Sequence, residues 1–192
     1  MERTSKRVVI VGIPGVGKTT VVTKLEEMLK KANVKTDYVV FGTVMFEEAQ
    51  KIGVKDRDDM RKLPVKVQRN LQEKTATVIA KKKADVVLVD THLFINTKEG
   101  YWPGLPPSIL NALSPTNLVL VQADAVEILA RRQKDATRNR DMVTAEAIEK
   151  DLMIARSMLS ASAVISGAAM QIVDNAGGKA DAAAEAIFEA IH

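Results

Sequence analysis

Residues Gly12, Ile13, Pro14, Gly15, Val16, Gly17, Lys18, Thr19 and Thr20 follow directly on the apolar run Arg7-Val8-Val9-Ile10-Val11. They spell G-x-x-x-x-G-K-S/T at the point where a buried, β-branched strand gives way to a helix. This order constrains the fold, because a strand feeding a glycine-rich turn and then a helix is a unit of a parallel α/β sheet. It constrains the chemistry as well. Glycines let the backbone turn so that successive N–H groups face an anion. The helix that starts there adds unpaired donors and the positive end of its dipole. Lys18 brings a positive charge to the β- and γ-phosphates, and the Thr19 hydroxyl is placed for Mg²⁺. The segment therefore reads as a nucleoside-triphosphate site. The alternative is a strand-to-helix turn that binds nothing.

Five apolar runs suit buried parallel strands: Arg7–Val11, Tyr38–Phe41, Val86–Val89, Leu118–Val121 and Gln171–Val173. Helical patterns cover Lys18–Lys31, Lys66–Lys83, Ala125–Gln133, Thr144 to about Ile165, and Ala180–Ile191. The alternation predicts an α/β fold: a five-stranded parallel sheet flanked by helices, of the phosphate-loop NTPase type, in one domain over 1–192. Two segments interrupt it, one over about 42–67 with short helices of its own and one over about 134–142 that is dense in charge. Both leave the carboxyl ends of strands, where open α/β sheets bind ligands, and so read as a substrate clamp and a lid. Asn96–Pro107 holds two glycines and three prolines and reads as an ordered loop.

Composition narrows the partners. Hydrophobic residues make up 46% and charged residues 27%, enough for a core and against disorder. The net charge of +4 is compatible with nucleic acid, but only 4% of residues are aromatic and none interleave with a basic tract. A small polyanionic substrate is expected, with no nucleic acid and no membrane. The basic N-terminus runs straight into the first strand, unlike a signal peptide, and the absence of cysteine excludes disulfides and thiolate metal sites. A cytoplasmic location is the expectation.

Val86-Val87-Leu88-Val89 ends in Asp90. Beside a phosphate loop, an acid in that place holds Mg²⁺, partly through water; otherwise it caps the following turn. Arg57 and Arg61 lie four apart, on one face of a helix, with acidic neighbours that offer a solvated-surface alternative. Arg131, Arg132, Arg138 and Arg140 crowd the second insertion. Their planar guanidinium forks match phosphate oxygens, and Arg132, Arg138 and Arg140 are assigned with Lys18 to stabilising the group in transfer. Two separate arginine-bearing insertions suit a kinase, which needs an acceptor site and closure against water. His92 follows Asp90 closely and reads as a wall residue of the same crevice.

The chain resembles the archaeal-type adenylate kinases nearly end to end. The resemblance rests on Gly12-Ile-Pro-Gly-Val-Gly-Lys-Thr-Thr20, Phe41-Gly-Thr-Val-Met-Phe-Glu47, Asp56-Arg-Asp-Asp-Met-Arg-Lys-Leu63, Val89-Asp-Thr-His92, Gly100-Tyr-Trp-Pro-Gly-Leu-Pro106 and Asp135-Ala-Thr-Arg-Asn-Arg-Asp141. It implies the reaction ATP + AMP ⇌ 2 ADP with Mg²⁺, an AMP-binding insertion and a short lid. It further implies AMP contacts from Gly42, Thr43, Arg57, Arg61 and His92, Mg²⁺ contacts from Thr19 and Asp90, and assembly as a homotrimer. The bacterial and eukaryotic branch differs at two places. It follows the strand-ending Asp with Gly-Phe-Pro-Arg, where this chain has Thr91-His92-Leu93-Phe94, and it carries an arginine near the position of Phe46. Arg57 and Arg61 are the natural substitutes for the missing AMP-phosphate arginines, with His92 next. The rival readings are a kinase for another nucleoside monophosphate or small metabolite, and an adenylate-kinase-like ATPase acting in ribosome or protein assembly.

Overall fold

The computed structural model describes residues 5–134 and 144–192, apart from the side chain of Arg61. Its centre is the first apolar run. Strand β1 (Lys6–Val11) carries Val8, Val9, Ile10 and Val11 with no exposed surface at all. A strand covered on both faces has no polar side, which is why this one reads as a continuous apolar stretch. Burying side chains of this size contributes about 1.5–3 kcal/mol each. Around it stand β2 (Thr36–Val40), β3 (Val86–Asp90), β6 (Asn117–Gln122) and β7 (Ala169–Asp174), in the order β2-β3-β1-β6-β7. Every pairing in this sheet is parallel.

Helices cover the sheet. Helix α1 (Lys18–Lys31) buries Val21, Leu25 and Leu29 at four-residue spacing and ends on Lys30 and Lys31, whose charges complement its dipole. Helices α4 (Val65–Ala80), α6 (Ala125–Lys134), α7 (Ala145–Ser166) and α8 (Ala180–Ile191) lie within a residue or a few of the predicted patterns. The first insertion consists of α2 (Phe41–Gln50), α3 (Arg57–Lys62) and the start of α4. The second lies outside the described residues, apart from Lys134.

Three expectations are corrected. Phe41 opens α2 instead of closing β2; Phe41, Met45 and Ala49 are buried at helical spacing, and the run Val39-Val40-Phe41 hides the change of period. The supposed loop at Asn96–Pro107 contains strand β5 (Gly100–Pro103), paired antiparallel with β4 (Phe94–Thr97), and it leads into α5 (Pro107–Leu113). Lys98-Glu99 joins the two strands without the Asn-Gly or Asp-Gly signal of a tight hairpin, and Pro103 argues against a strand in sequence terms. The hairpin is held instead by the edge of Phe94 against Tyr101, ring centroids 4.9 Å apart. Last, β7 is not buried on both faces: Met170 and Ile172 are 46% and 39% exposed on this edge strand.

Candidate functional site

The phosphate loop leaves the carboxyl end of β1 and enters α1 at Gly17, whose φ of +83° lies in the left-handed region. Gly12 is fixed by crowding: a Cβ there would stand 2.7 Å from the Val121 carbonyl oxygen on β6. Side chains of Ile13 and Val16 are buried beneath the loop, while Pro14, Thr19 and Thr20 are exposed on it. The loop is thus anchored from below and open above.

Lys18 lies in the first turn of α1. Its Nζ is ion-paired with the Asp90 carboxylate and donates to the Thr91 carbonyl at 3.0 Å. Asp90 ends β3 next to β1, in register with Ile10, so the sheet itself brings the two charges together. The pair is largely buried, with side chains 12% and 13% exposed. The Tyr38 hydroxyl donates to the other Asp90 oxygen at 3.0 Å. Asp90 is therefore held from two sides.

Tyr38 was not singled out from the sequence. It sits on β2 opposite Leu88, two residues before the point where Val40 meets Asp90. Burial, then the charge and hydrogen bonding of Asp90, push its ionisation above the ordinary tyrosine range, with Glu26 adding to the effect. Burial and Asp151, which accepts from the Tyr101 hydroxyl at 3.0 Å, push Tyr101 upward too. These are the two tyrosines of the chain. Spectrophotometric titration of the folded protein should accordingly develop less tyrosinate absorbance at pH about 10 than the unfolded chain, whose tyrosines are half ionised there. Both folded-state values are raised, so the folded chain keeps protons that the unfolded chain releases. The associated stability is complete below pH about 10 and falls as pH rises from there toward the folded values. Tyrosinate appearing at the same pH with and without denaturant would contradict this environment.

Mg²⁺ is the metal that the fold implies. Oxygen donors suit it, and it commonly keeps water and phosphate ligands, so few protein ligands suffice. The Asp90 carboxylate and the exposed Thr19 hydroxyl are such donors.

Across the sheet edge, Gly42 and Thr43 occupy the first turn of α2. A Cβ at Gly42 would meet nothing within 4 Å among the described residues. Arg57 opens α3, which is capped by Asp56 accepting from the Asp59 N–H at 2.8 Å. Despite its acidic neighbours, Arg57 turns to α2. Its Nη2 donates to the Thr43 hydroxyl at 2.9 Å, and its guanidinium lies over the Phe46 ring, 5.7 Å from the centroid. Phe46 thus carries an arginine from another helix near the place where the bacterial branch has its own. Asp59 pairs with Lys62 at 3.1 Å, not with Arg57. Arg61 belongs to α3, but its side chain is outside the described residues.

Arg132, on α6, donates from Nε to the Pro14 carbonyl at 2.8 Å, so the structure brings it onto the phosphate loop. His92 is exposed and lines a small cavity with Gly12, Ile13 and Pro14. Arg138 and Arg140 lie outside the described residues. Among those described, no helix is long and apolar enough to cross a membrane.

Comparison with known proteins agrees with this arrangement. A family model described as AAA domain matches residues 11–149. An adenylate kinase of Methanocaldococcus jannaschii is 43% identical over 189 residues, covering 97% of this chain and 98% of the relative. One from Pyrococcus furiosus is 45% identical over 170 residues, covering 88% of this chain and 85% of its own. Among solved structures, a shikimate kinase from Acinetobacter baumannii in complex with shikimate superposes with a TM-score of 0.62 at 19% identity, covering 98% of this chain and 94% of that one, which supports the fold alone. With relatives at this identity over nearly the whole chain, and a phosphate loop whose lysine rests on the strand-ending acid, the chain belongs to the adenylate kinase family.

Proposed function

We propose that the enzyme transfers the γ-phosphoryl group of ATP reversibly to AMP, giving two ADP. The observation that carries this reading is the full-length similarity to curated adenylate kinases, at 43% identity over 97% of the chain for one of them. In the transfer an oxygen of the AMP phosphate forms a bond to the γ-phosphorus as the bond to the ADP leaving oxygen breaks. The attacking oxygen is already anionic, so no general base is required, and His92 serves as a wall of the AMP site.

Lys18 and the loop Gly12–Thr20, through its backbone N–H groups other than at Pro14, which has none, hold the ATP phosphates. Arg132, Arg138 and Arg140 stabilise charge as it moves between oxygens. Gly42, Thr43, Arg57 and Arg61 bind AMP, in an insertion over about 42–67, and the lid spans about 134–142. Thr19 and Asp90 would hold Mg²⁺, which when bound neutralises phosphate charge. The setting in this reading is cytoplasmic.

A coupled assay with ATP and each of AMP, CMP, UMP and GMP tests the reaction. ADP formed fastest with AMP is the expected result. A preference for another acceptor would move the reading to a different monophosphate kinase. ATP hydrolysis without any acceptor, dependent on a macromolecule, would move it to an assembly ATPase.

The enzyme assembles as a homotrimer in this reading. Helix α7 buries Ile148, Leu152, Ala155 and Leu159 along one stripe and leaves Met153, Val164 and Ile165 at 56%, 85% and 50% exposure on others. The open face of β7 lies near in the fold and adds Met170 and Ile172. Apolar surface of this kind suits contact with further copies. Light scattering coupled to size exclusion should give a trimer mass at micromolar protein; a monomer mass alone removes the claim.

A further inference from the structure

Two side chains converge on one backbone oxygen behind the phosphate loop. Asn175, in the turn after β7, donates from Nδ2 to the Val16 carbonyl at 2.7 Å. Arg131, on α6, donates from Nη1 to the same oxygen at 3.0 Å. The other arm of Arg131 donates to the Asn175 carbonyl at 2.8 Å and pairs with Glu127 at 2.5 Å. Glu127 in turn accepts from the Gly177 N–H at 3.0 Å. Asn175 is only 4% exposed, and its own N–H donates to Gln122 at the end of β6, at 2.8 Å. The phosphate loop, α6 and the turn after β7 are thereby closed into one ring of hydrogen bonds.

Gly17 belongs to this ring by exclusion. A Cβ on it would stand 2.3 Å from the Asn175 amide nitrogen, so a larger residue would evict the amide. The peptide between Val16 and Gly17 turns about ψ of Val16 and φ of Gly17, and a glycine, here at φ +83°, leaves that second angle freer than any other residue would. A phosphate loop works only while its N–H groups face the anion and its carbonyls face elsewhere. A Val16 carbonyl swung toward the site would repel phosphate.

We propose that Arg131 and Asn175 are positioning residues that hold the Val16 carbonyl away from the phosphates and keep the loop set for ATP. Arg131 differs in this from its neighbour Arg132, which is assigned to the transferring group. Its planar fork spans three acceptors, the Val16 and Asn175 carbonyls and the Glu127 carboxylate, which the single ammonium of lysine does not span. The inference rests on the reading of this loop as the triphosphate site.

The test measures ATP and AMP affinity by calorimetry, together with nucleotide-free melting, for the parent, Arg131→Lys, Arg131→Gln and Asn175→Ala. ATP binding is expected to weaken about tenfold or more in the Arg131 variants, the scale of losing one charge-assisted contact, and by a smaller factor, about three- to tenfold, in Asn175→Ala, where a neutral hydrogen bond is lost. AMP affinity stays at the parent value, and in turnover assays the KM for ATP rises more than kcat falls. Arg131→Gln should lose more than Arg131→Lys. Variants that melt lower yet bind ATP as the parent does would overturn the proposal, since that pattern belongs to a merely structural contact. Equal weakening for ATP and AMP would overturn it also. If Asn175→Ala does not fold, the two Arg131 variants decide alone. A parent that binds no ATP would instead overturn the reading of the loop itself.

Discussion

Lys18→Ala is expected to lower phosphoryl transfer by about two to three orders of magnitude while the protein stays folded. The residue brings the one lysine charge of the phosphate loop to oxygens whose charge rises and shifts during transfer. Its loss is felt more in the transition state than in the ground state, so kcat should fall more than ATP affinity. The structural consequences fall on Asp90, which loses its ion partner but keeps the Tyr38 hydroxyl at 3.0 Å, and on the Thr91 carbonyl, which loses the Lys18 donor. Leaving a largely buried carboxylate without its ion partner costs about 3–5 kcal/mol, to be set against a typical stability of about 5–15 kcal/mol. Steady-state kinetics and thermal melting of the variant check both halves. Activity within a few-fold of the parent would sink the assignment of this loop, whatever the melting temperature.

The same pair shows how far sequence reasoning reached. The strand before the loop and the strand ending in Asp90 were legible because burial on both faces writes a continuous apolar run. Their adjacency was not legible, since alternation of strands and helices does not fix the order β2-β3-β1-β6-β7 that places β3 beside β1. The helix bounds Lys18–Lys31 and Ala180–Ile191 were legible from periodicity and match the structure to the residue. What stayed hidden depends on contacts between distant segments. Tyr38 reads as one more apolar strand position until register sets it near Asp90. Phe46 reads as a core aromatic until Arg57 lies over its face. Arg131 was grouped with the lid arginines because a cluster of charge carries no direction; only the fold turns it inward to the Val16 carbonyl while Arg132 takes that of Pro14. Asn175 had a usable signal, a polar residue just past the carboxyl end of a strand on the ligand edge of the sheet. The hairpin at β4 and β5 had none, since its turn lacks glycine at the two linking positions.

Arg57→Ala is expected to weaken AMP binding by about ten- to a hundredfold, the scale of one charge-assisted contact, and to leave ATP affinity near that of the parent. The guanidinium is already held in place by Thr43 and by the Phe46 ring, so little side-chain freedom remains to be lost when phosphate arrives. Phe46→Leu keeps the apolar volume and removes only the ring face, a contact worth about 0.5–1 kcal/mol at an exposed site. It should therefore weaken AMP binding by a smaller factor in the same direction. Arg138→Ala and Arg140→Ala should behave differently, lowering the rate of transfer more than AMP affinity, because contacts strongest in the transition state appear in turnover. Titration of each variant with AMP and with ATP, alongside kinetics with each substrate varied, separates the two groups. If Arg57→Ala and Arg61→Ala both leave AMP affinity unchanged, the arginines of α3 are a solvated face. The acceptor phosphate must then be held elsewhere, and His92, already beside the phosphate loop, is the next residue to replace.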